Sequence, residues 1–149
     1  MRTLVWRRLD EPGMEVAHID SFSRAEGTQI GRGYEARWRL DGKLLQVDVV
    51  GRDRVTAELG DADFFDLFAS PFFNSLPVMR DGLLQAGPAH DYLMRFVTLP
   101  EMDVLRSEQR YDPRGDRTVA FSSGTFAADI EFDAEGFVTV YRGFLERIA

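Results

Sequence analysis

The sequence predicts a mostly all-β fold, an antiparallel sandwich or barrel, on three observations. About nine or ten short segments alternate apolar and polar residues with turn residues between them, the two-residue period of half-buried strands. No segment carries a long amphipathic helix at the 3.6-residue period. The one apolar stretch that fits neither a regular strand nor a long helix is Ser70-Pro71-Phe72-Phe73-Asn74-Ser75-Leu76-Pro77-Val78. Pro71 and Pro77 each fix φ, lack an N–H donor and push the preceding residue toward extended geometry. A segment that is apolar but cannot join a ladder is expected to plug or line something, as a crossover between two halves of a sheet or as the wall of a pocket.

Taken in order, Leu4, Val5 and Trp6 begin a first strand that ends at the turn cluster Asp10-Glu11-Pro12-Gly13. Met14 to Phe22 alternates loosely, with Val16, His18 and Asp20 on one side and Ala17, Ile19 and Ser21 on the other. Ser23 to Gly33 carries three glycines and reads as a loop or broken strand. Arg32 to Leu40 is the clearest strand: Tyr34, Ala36, Trp38 and Leu40 face one way and Glu35, Arg37 and Arg39 the other. Asp41-Gly42 signals a hairpin, and Leu44–Val50 and Val55–Leu59 complete a meander. Ala62 to Ala69 fits one helical turn or a buried strand equally. After the Pro-bracketed segment, Ala89–Leu99 and Met102–Tyr111 read as strands, and Asp112-Pro113-Arg114-Gly115-Asp116 as a turn. Arg117–Ser122, Thr125–Asp133 and Phe137–Arg142 form a closing meander, with Phe126, Ala128, Ile130 and Phe132 expected inward. Phe144–Ile148 is a short tail.

Bulk properties narrow the function classes. A chain of 149 residues favours one domain, residues 1–149, with a substantial core. The formal charge of −7 opposes a nucleic-acid backbone, and neither Arg2/Arg7/Arg8 nor Arg37/Arg39 escapes neighbouring carboxylates, so no nucleic-acid partner is expected. With no cysteine there is no disulfide, thiolate metal site or cysteine nucleophile. No run reaches the length of a membrane helix and the first residues lack the apolar core of a signal peptide, so a soluble, cytoplasmic protein without stable membrane insertion is expected.

Chemistry-bearing motifs are sparse. His18 and Asp20 share a strand face and could act as an acid–base pair. There is no Gly-x-Ser-x-Gly elbow and no phosphate loop in a strand–helix context, so neither cofactor nor metal is expected. Asp61, Asp63 and Asp66 read as solvated flanks of Phe64 and Phe65. What stands out is aromatic content: twelve Phe, four Tyr and two Trp. Aromatic side chains along one face of a curved sheet can hold a lipid tail while Tyr and Trp edges meet polar groups.

The Pro-bracketed segment, with Gln109-Arg110-Tyr111 and the closing Phe132-Asp133, Gly136 and Tyr141, resembles the putative glycolipid-binding family, and Trp6-Arg7 near the start is similar to it too. The similarity runs along the whole chain and is strongest from Ser70 to Tyr141. It implies a fold like that of bacterial lipoprotein carriers: an antiparallel sheet curled into an incomplete β-barrel under a short covering segment. It also implies non-enzymatic binding of a glycolipid or other small amphipathic ligand. On this reading Tyr34, Trp38, Phe72, Phe73, Tyr92 and Phe96 meet the apolar part of the ligand and Asn74 offers a polar handle. Two alternatives remain: an enzyme using His18 and Asp20, and a structural or oligomer-forming module.

Overall fold

The alternation of Tyr34 to Leu40 is obeyed side chain by side chain in the computed structural model, which describes residues Met1–Ala149: Ala36, Trp38 and Leu40 are buried while Glu35, Arg37 and Arg39 are exposed. The chain forms thirteen strands. The first six are β1 (Arg2–Arg8), β2 (Met14–Ser21), β3 (Arg24–Gly31), β4 (Tyr34–Asp41), β5 (Leu44–Val49) and β6 (Val55–Glu58). After β7 (Phe64–Leu67) come a 3₁₀ turn, Pro71–Asn74, and one short helix, α1 (Ser75–Asp81). The rest is β8 (His90–Val97), β9 (Val104–Gly115), β10 (Thr118–Ser123), β11 (Phe126–Phe132), β12 (Val138–Tyr141) and β13 (Leu145–Arg147).

All thirteen strands lie in one sheet, ordered β6-β5-β4-β3-β2-β1-β13-β12-β11-β10-β9-β8-β7. Each neighbouring pair is antiparallel except β7 and β8 at one edge. The sheet is thus two meanders joined by a seam, where β1 pairs with β13 through Trp6↔Arg147, Arg7↔Glu146 and Arg8↔Leu145. It is not closed into a barrel, since β6 and β7 are its ends. The connection Gly60–Asp63 spans from one end to the other: the Asp63 N–H donates to Leu93 O at 2.7 Å, and Arg95 Nη2 reaches Asp61 at 3.3 Å.

Several elements differ from the sequence expectation, each for a local reason. Ser23 to Gly33 is no loop: it contains the full strand β3, paired with β4 from Arg24↔Asp41 to Gly31↔Tyr34. Its glycines mark close approach instead, because a Cβ at Gly27 would overlap the Trp38 indole and one at Gly31 the Tyr34 ring. β9 runs through Asp112-Pro113. Its register with β10 shifts between Thr118 and Val119, so Pro113 sits beside a bulge, where a strand tolerates a missing donor. The turn falls at Gly115, Asp116 and Arg117, all with positive φ. Ala62–Ala69 resolves as strand β7, and the Phe144–Ile148 tail contains β13, the strand that makes the seam. Phe126 was expected inward but is 50% exposed.

The Pro-bracketed segment lies against the inner face of the sheet. Pro77 is accommodated in the first turn of α1, where its missing N–H has no intrahelical partner to lose. Gly82 ends the helix in the left-handed conformation. Residues from Pro71 to Val78 are all buried, and they pack on both meanders.

Candidate functional site

One side of the buried segment is solid. The Phe72 ring stacks on Trp38 of β4 at 5.7 Å, Phe73 tilts against the same indole at 5.0 Å, and the two phenylalanines meet edge to face at 5.4 Å. Beneath them lies Glu15 of β2, only 1% exposed. Ser70 Oγ donates to Glu15 Oε1 at 2.6 Å, while Gln29 Nε2 and Trp38 Nε1 donate to Oε2 at 3.1 and 3.3 Å. Gln29 also donates to Phe68 O at 2.9 Å and accepts from the Tyr34 hydroxyl. Burial pushes the Glu15 carboxyl up to about 8, against the pull of its three donors. This network ties β2, β3 and β4 to the start of the covering segment.

The other side is hollow. A cavity of about 340 Å³ opens between that segment and strands β7 to β13, within the range of small-molecule sites, roughly 300–1,000 Å³. Phe68, Phe96, Phe121, Phe126, Tyr141 and Phe144 supply its aromatic wall. These rings touch in series: Phe121 with Phe126 at 6.0 Å, Tyr141 with Phe144 at 5.2 Å, and Phe144 with Phe68 at 5.9 Å. Polar side chains share the lining: Asp66, Ser70, Asn74, Ser107, Gln109 and Ser123. Ser70, Asn74 and Gln109 are buried, as are Phe121, Tyr141 and Leu145, while Asp66, Ser107 and Ser123 are half-buried and Phe126 is the most exposed lining residue, so polar and aromatic groups share both the depth and the mouth.

Within the lining, Gln109 Nε2 donates to Asp66 Oδ2 at 2.8 Å and to Ser107 Oγ at 3.3 Å. Burial raises the Asp66 carboxyl to about 6, opposed by the donors of Gln109 and the Leu67 backbone. Asn74 Nδ2 donates to the Tyr111 hydroxyl at 3.1 Å. Burial also raises the Tyr141 hydroxyl, with the Asp66 charge adding to the effect.

Of the residues singled out in the sequence, Asn74 and Phe96 line this cavity. Trp38, Phe72 and Phe73 form the packed wall described above, and Tyr34 sits at the far end of the Glu15 network. The Tyr92 ring meets Tyr111 edge to face at 5.5 Å, and its hydroxyl donates to Asp81 Oδ2 at 2.6 Å, which fastens the end of α1 to β8. The structure therefore separates the set into two that line the hollow and five that stand around it.

Asp61, Asp63 and Asp66 do not act alike. Asp61 pairs with Arg106 at 3.0 Å, Asp63 accepts from the Leu93 N–H at 2.8 Å, and Asp66, read as a solvated flank, faces the cavity. His18 Nδ1 bonds Thr3 Oγ1 at 2.9 Å across the β1–β2 ladder, on the face opposite buried Ala17 and Ile19.

Sequence reasoning did not single out Glu15, Phe121 or Phe144, read Asp66 as a solvated flank, and named Gln109 only within the family resemblance. Glu15 was findable, because it shares strand parity with Ala17 and Ile19 on the buried face of β2. For the cavity residues no local signal exists, since they come from separate strands of the second meander and from the covering segment.

The chain is similar to known proteins in two respects, a family model and a solved structure. A family model described as putative glycolipid-binding matches residues 23–147. A crystal structure of a DUF1089 family protein from Pseudomonas aeruginosa superimposes with a TM-score of 0.76 at 20% identity, over 96% of this chain and 95% of that one. At that identity the likeness establishes a common fold. No curated protein matches the chain in sequence.

Proposed function

This chain belongs to the putative glycolipid-binding family, and from that premise we propose that it is a single-domain, non-enzymatic binder of a glycolipid or other small amphipathic molecule. The observation that carries the reading is the cavity of about 340 Å³, lined by aromatic rings and polar side chains together. Such a site answers both ends of an amphiphile. Each CH₂ that leaves water for the aromatic wall contributes about 0.8 kcal/mol, and the polar side chains orient the head group. Phe96 and Asn74 are direct contacts on this reading. Trp38, Phe72, Phe73, Tyr34 and Tyr92 hold the covering segment in place, so that the hollow keeps its shape without ligand. No helix is long and apolar enough to cross a membrane, and the cysteine-free composition accords with action in the cytoplasm.

The test is direct. Purified protein is extracted and the extract analysed by mass spectrometry, and stripped protein is then titrated with a fluorescent acyl probe. Co-purifying amphiphile, or saturable uptake of the probe that Phe96→Ala weakens, is the expected result. Protein that carries no lipid and takes up none would remove the reading.

A further inference from the structure

We propose that the end of the sheet where the cavity opens is a docking surface for a zwitterionic lipid bilayer, with the strand ends and their turns set into the head-group layer. The inference rests on the binding reading above and names the partner of that site, since docking sets the cavity mouth against a source of amphiphile. Three features carry it.

The first is where the exposed apolar side chains gather. The antiparallel registers bring the end of β1 beside the start of β2, then the end of β3, the start of β4 and the end of β5. They bring the end of β8 beside the start of β9, the end of β10 and the start of β11, and the seam joins the two rows. Seven of the eleven exposed large hydrophobic side chains stand at this one end. Leu9 and Met14 flank the β1–β2 turn, Ile30 is next to last in β3, and Val50 follows β5. Val104 and Leu105 open β9, and Phe126 opens β11. Exposed apolar groups scattered singly are ordinary, whereas their concentration marks a surface that meets a partner or a membrane.

The second is the position of the mouth. The lining residues Phe68, Phe96, Ser107, Ser123 and Phe126 lie at or near this same end of their strands. Exposure of the inward side chains rises toward it, from 1% at Tyr111 to 46% at Leu105 on β9, and from 0% at Ile130 to 50% at Phe126 on β11. Leu105 faces the same side as Phe96, its register partner on β8. The third is charge. The turns at this end, residues 9–13, 32–33, 50–54, 98–103, 124–125 and 142–144, carry Arg32, Arg52, Arg54 and Arg142 against Asp10, Glu11, Asp53, Glu101 and Asp103. That is four cations to five anions, near balance in a chain of formal charge −7. Arg8 is paired with both Asp10 and Glu11. An anionic bilayer repels the chain as a whole, whereas a zwitterionic one offers phosphate to the arginines and ammonium to the carboxylates. Arg32 and Arg52 stand exposed beside Ile30 and Val50, so each apolar group can enter the acyl boundary while its neighbouring guanidinium stays at the phosphates.

The experiment floats the full chain with phosphatidylcholine vesicles and, separately, with phosphatidylglycerol vesicles. The protein is expected to rise with phosphatidylcholine and to gain nothing from phosphatidylglycerol. Ile30→Ser combined with Val50→Ser, at two positions outside the cavity lining, is expected to weaken the partition about tenfold. The same pair is expected to leave uptake of a soluble fluorescent acyl probe unchanged. Leu44→Ser, exposed at the opposite end, is expected to change neither. Val50 lies in a turn, so Val50→Ser alone, with a severalfold loss, serves if the pair fails to fold. Protein that takes up the probe but stays in the aqueous fraction would overturn the docking surface and leave the binding reading intact. Stronger flotation with phosphatidylglycerol, or a loss in Leu44→Ser equal to that of the pair, would overturn it too. So would a concentration-dependent dimer in light scattering that Ile30→Ser disperses, which would give this end to a second copy of the chain. Flotation without probe uptake would remove the binding reading and keep the surface.

Discussion

The two flanks of the covering segment differ in what their polar atoms have been given to do. On the Trp38 side, the buried Glu15 carboxyl accepts from Ser70, Gln29 and Trp38, the rings of Phe72 and Phe73 pack on the indole, and none of these four polar side chains has an unpaired buried atom. On the Tyr141 side, a comparable pair, Asp66 and Gln109, stands over empty volume with one acceptor unspent. Both flanks are aromatic and both contain a buried acid with a raised titration point. Aromatic content therefore does not distinguish the solid flank from the hollow one, whereas the pairing of the polar side chains does.

That contrast can be broken at its solid flank first. Trp38→Ala should cost about 4 kcal/mol in urea unfolding, because the indole is buried against two phenylalanines and its removal leaves a large void. A loss below about 1 kcal/mol would mean that this flank is not close-packed. Next in size is a pH effect. The folded-state titration of Glu15 lies above its ordinary value of 4.5, so the native protein binds the extra proton more tightly than the unfolded chain does. Its contribution is complete below pH 4.5 and is lost as pH climbs to about 8. Asp66 acts in the same sense between 3.8 and about 6. Stability, and with it the thermal midpoint, should therefore fall from pH 5 to pH 8, with a slope of up to about 1.4 kcal/mol per pH unit from each group, and Glu15→Gln should flatten the curve above pH 6. A wild-type midpoint that rises over this range contradicts the burial argument. The smallest stability effect belongs to the hollow flank. Phe126→Ala, at the rim, should change unfolding by no more than about 0.5 kcal/mol while weakening amphiphile uptake severalfold. Equal losses in stability and uptake would erase the distinction between the flanks.

Much of the sheet was legible because side-chain alternation is a direct imprint of one buried face. Tyr34 to Leu40 and Tyr92 to Phe96 read correctly for that reason. β3 was hidden because Gly27 and Gly31 look like breaks when seen alone, and only the rings of Trp38 and Tyr34 across the ladder explain them. β9 was cut short at Pro113, since a bulge has no signature apart from its partner strand. The candidate cavity was legible only in part: Asn74 and Phe96, named from the sequence, line it, while Phe121, Tyr141 and Phe144 come to it from separate strands and turns whose meeting a sequence does not display. Glu15 is the instructive omission: a charge at an inward position of a strand is the mark of a buried network, and the period of β2 already put it there.

The seam between β1 and β13 has a consequence for how the chain reaches this state. Arg7 and Glu146 face each other across the ladder and share a hydrogen bond at 2.6 Å, although they lie 139 positions apart. Each meander can zip from one tight hairpin to the next, but the join between them must close nearly the entire polymer into a ring, at an entropic cost of about 4 kcal/mol beyond that of the shortest loop. Assembly should accordingly be gradual, in the milliseconds-to-seconds range of proteins dominated by distant pairings. Until the ends meet, each meander presents a raw margin of unpaired N–H and C=O groups at β1 or β13, the kind of surface on which unfinished chains stick to one another.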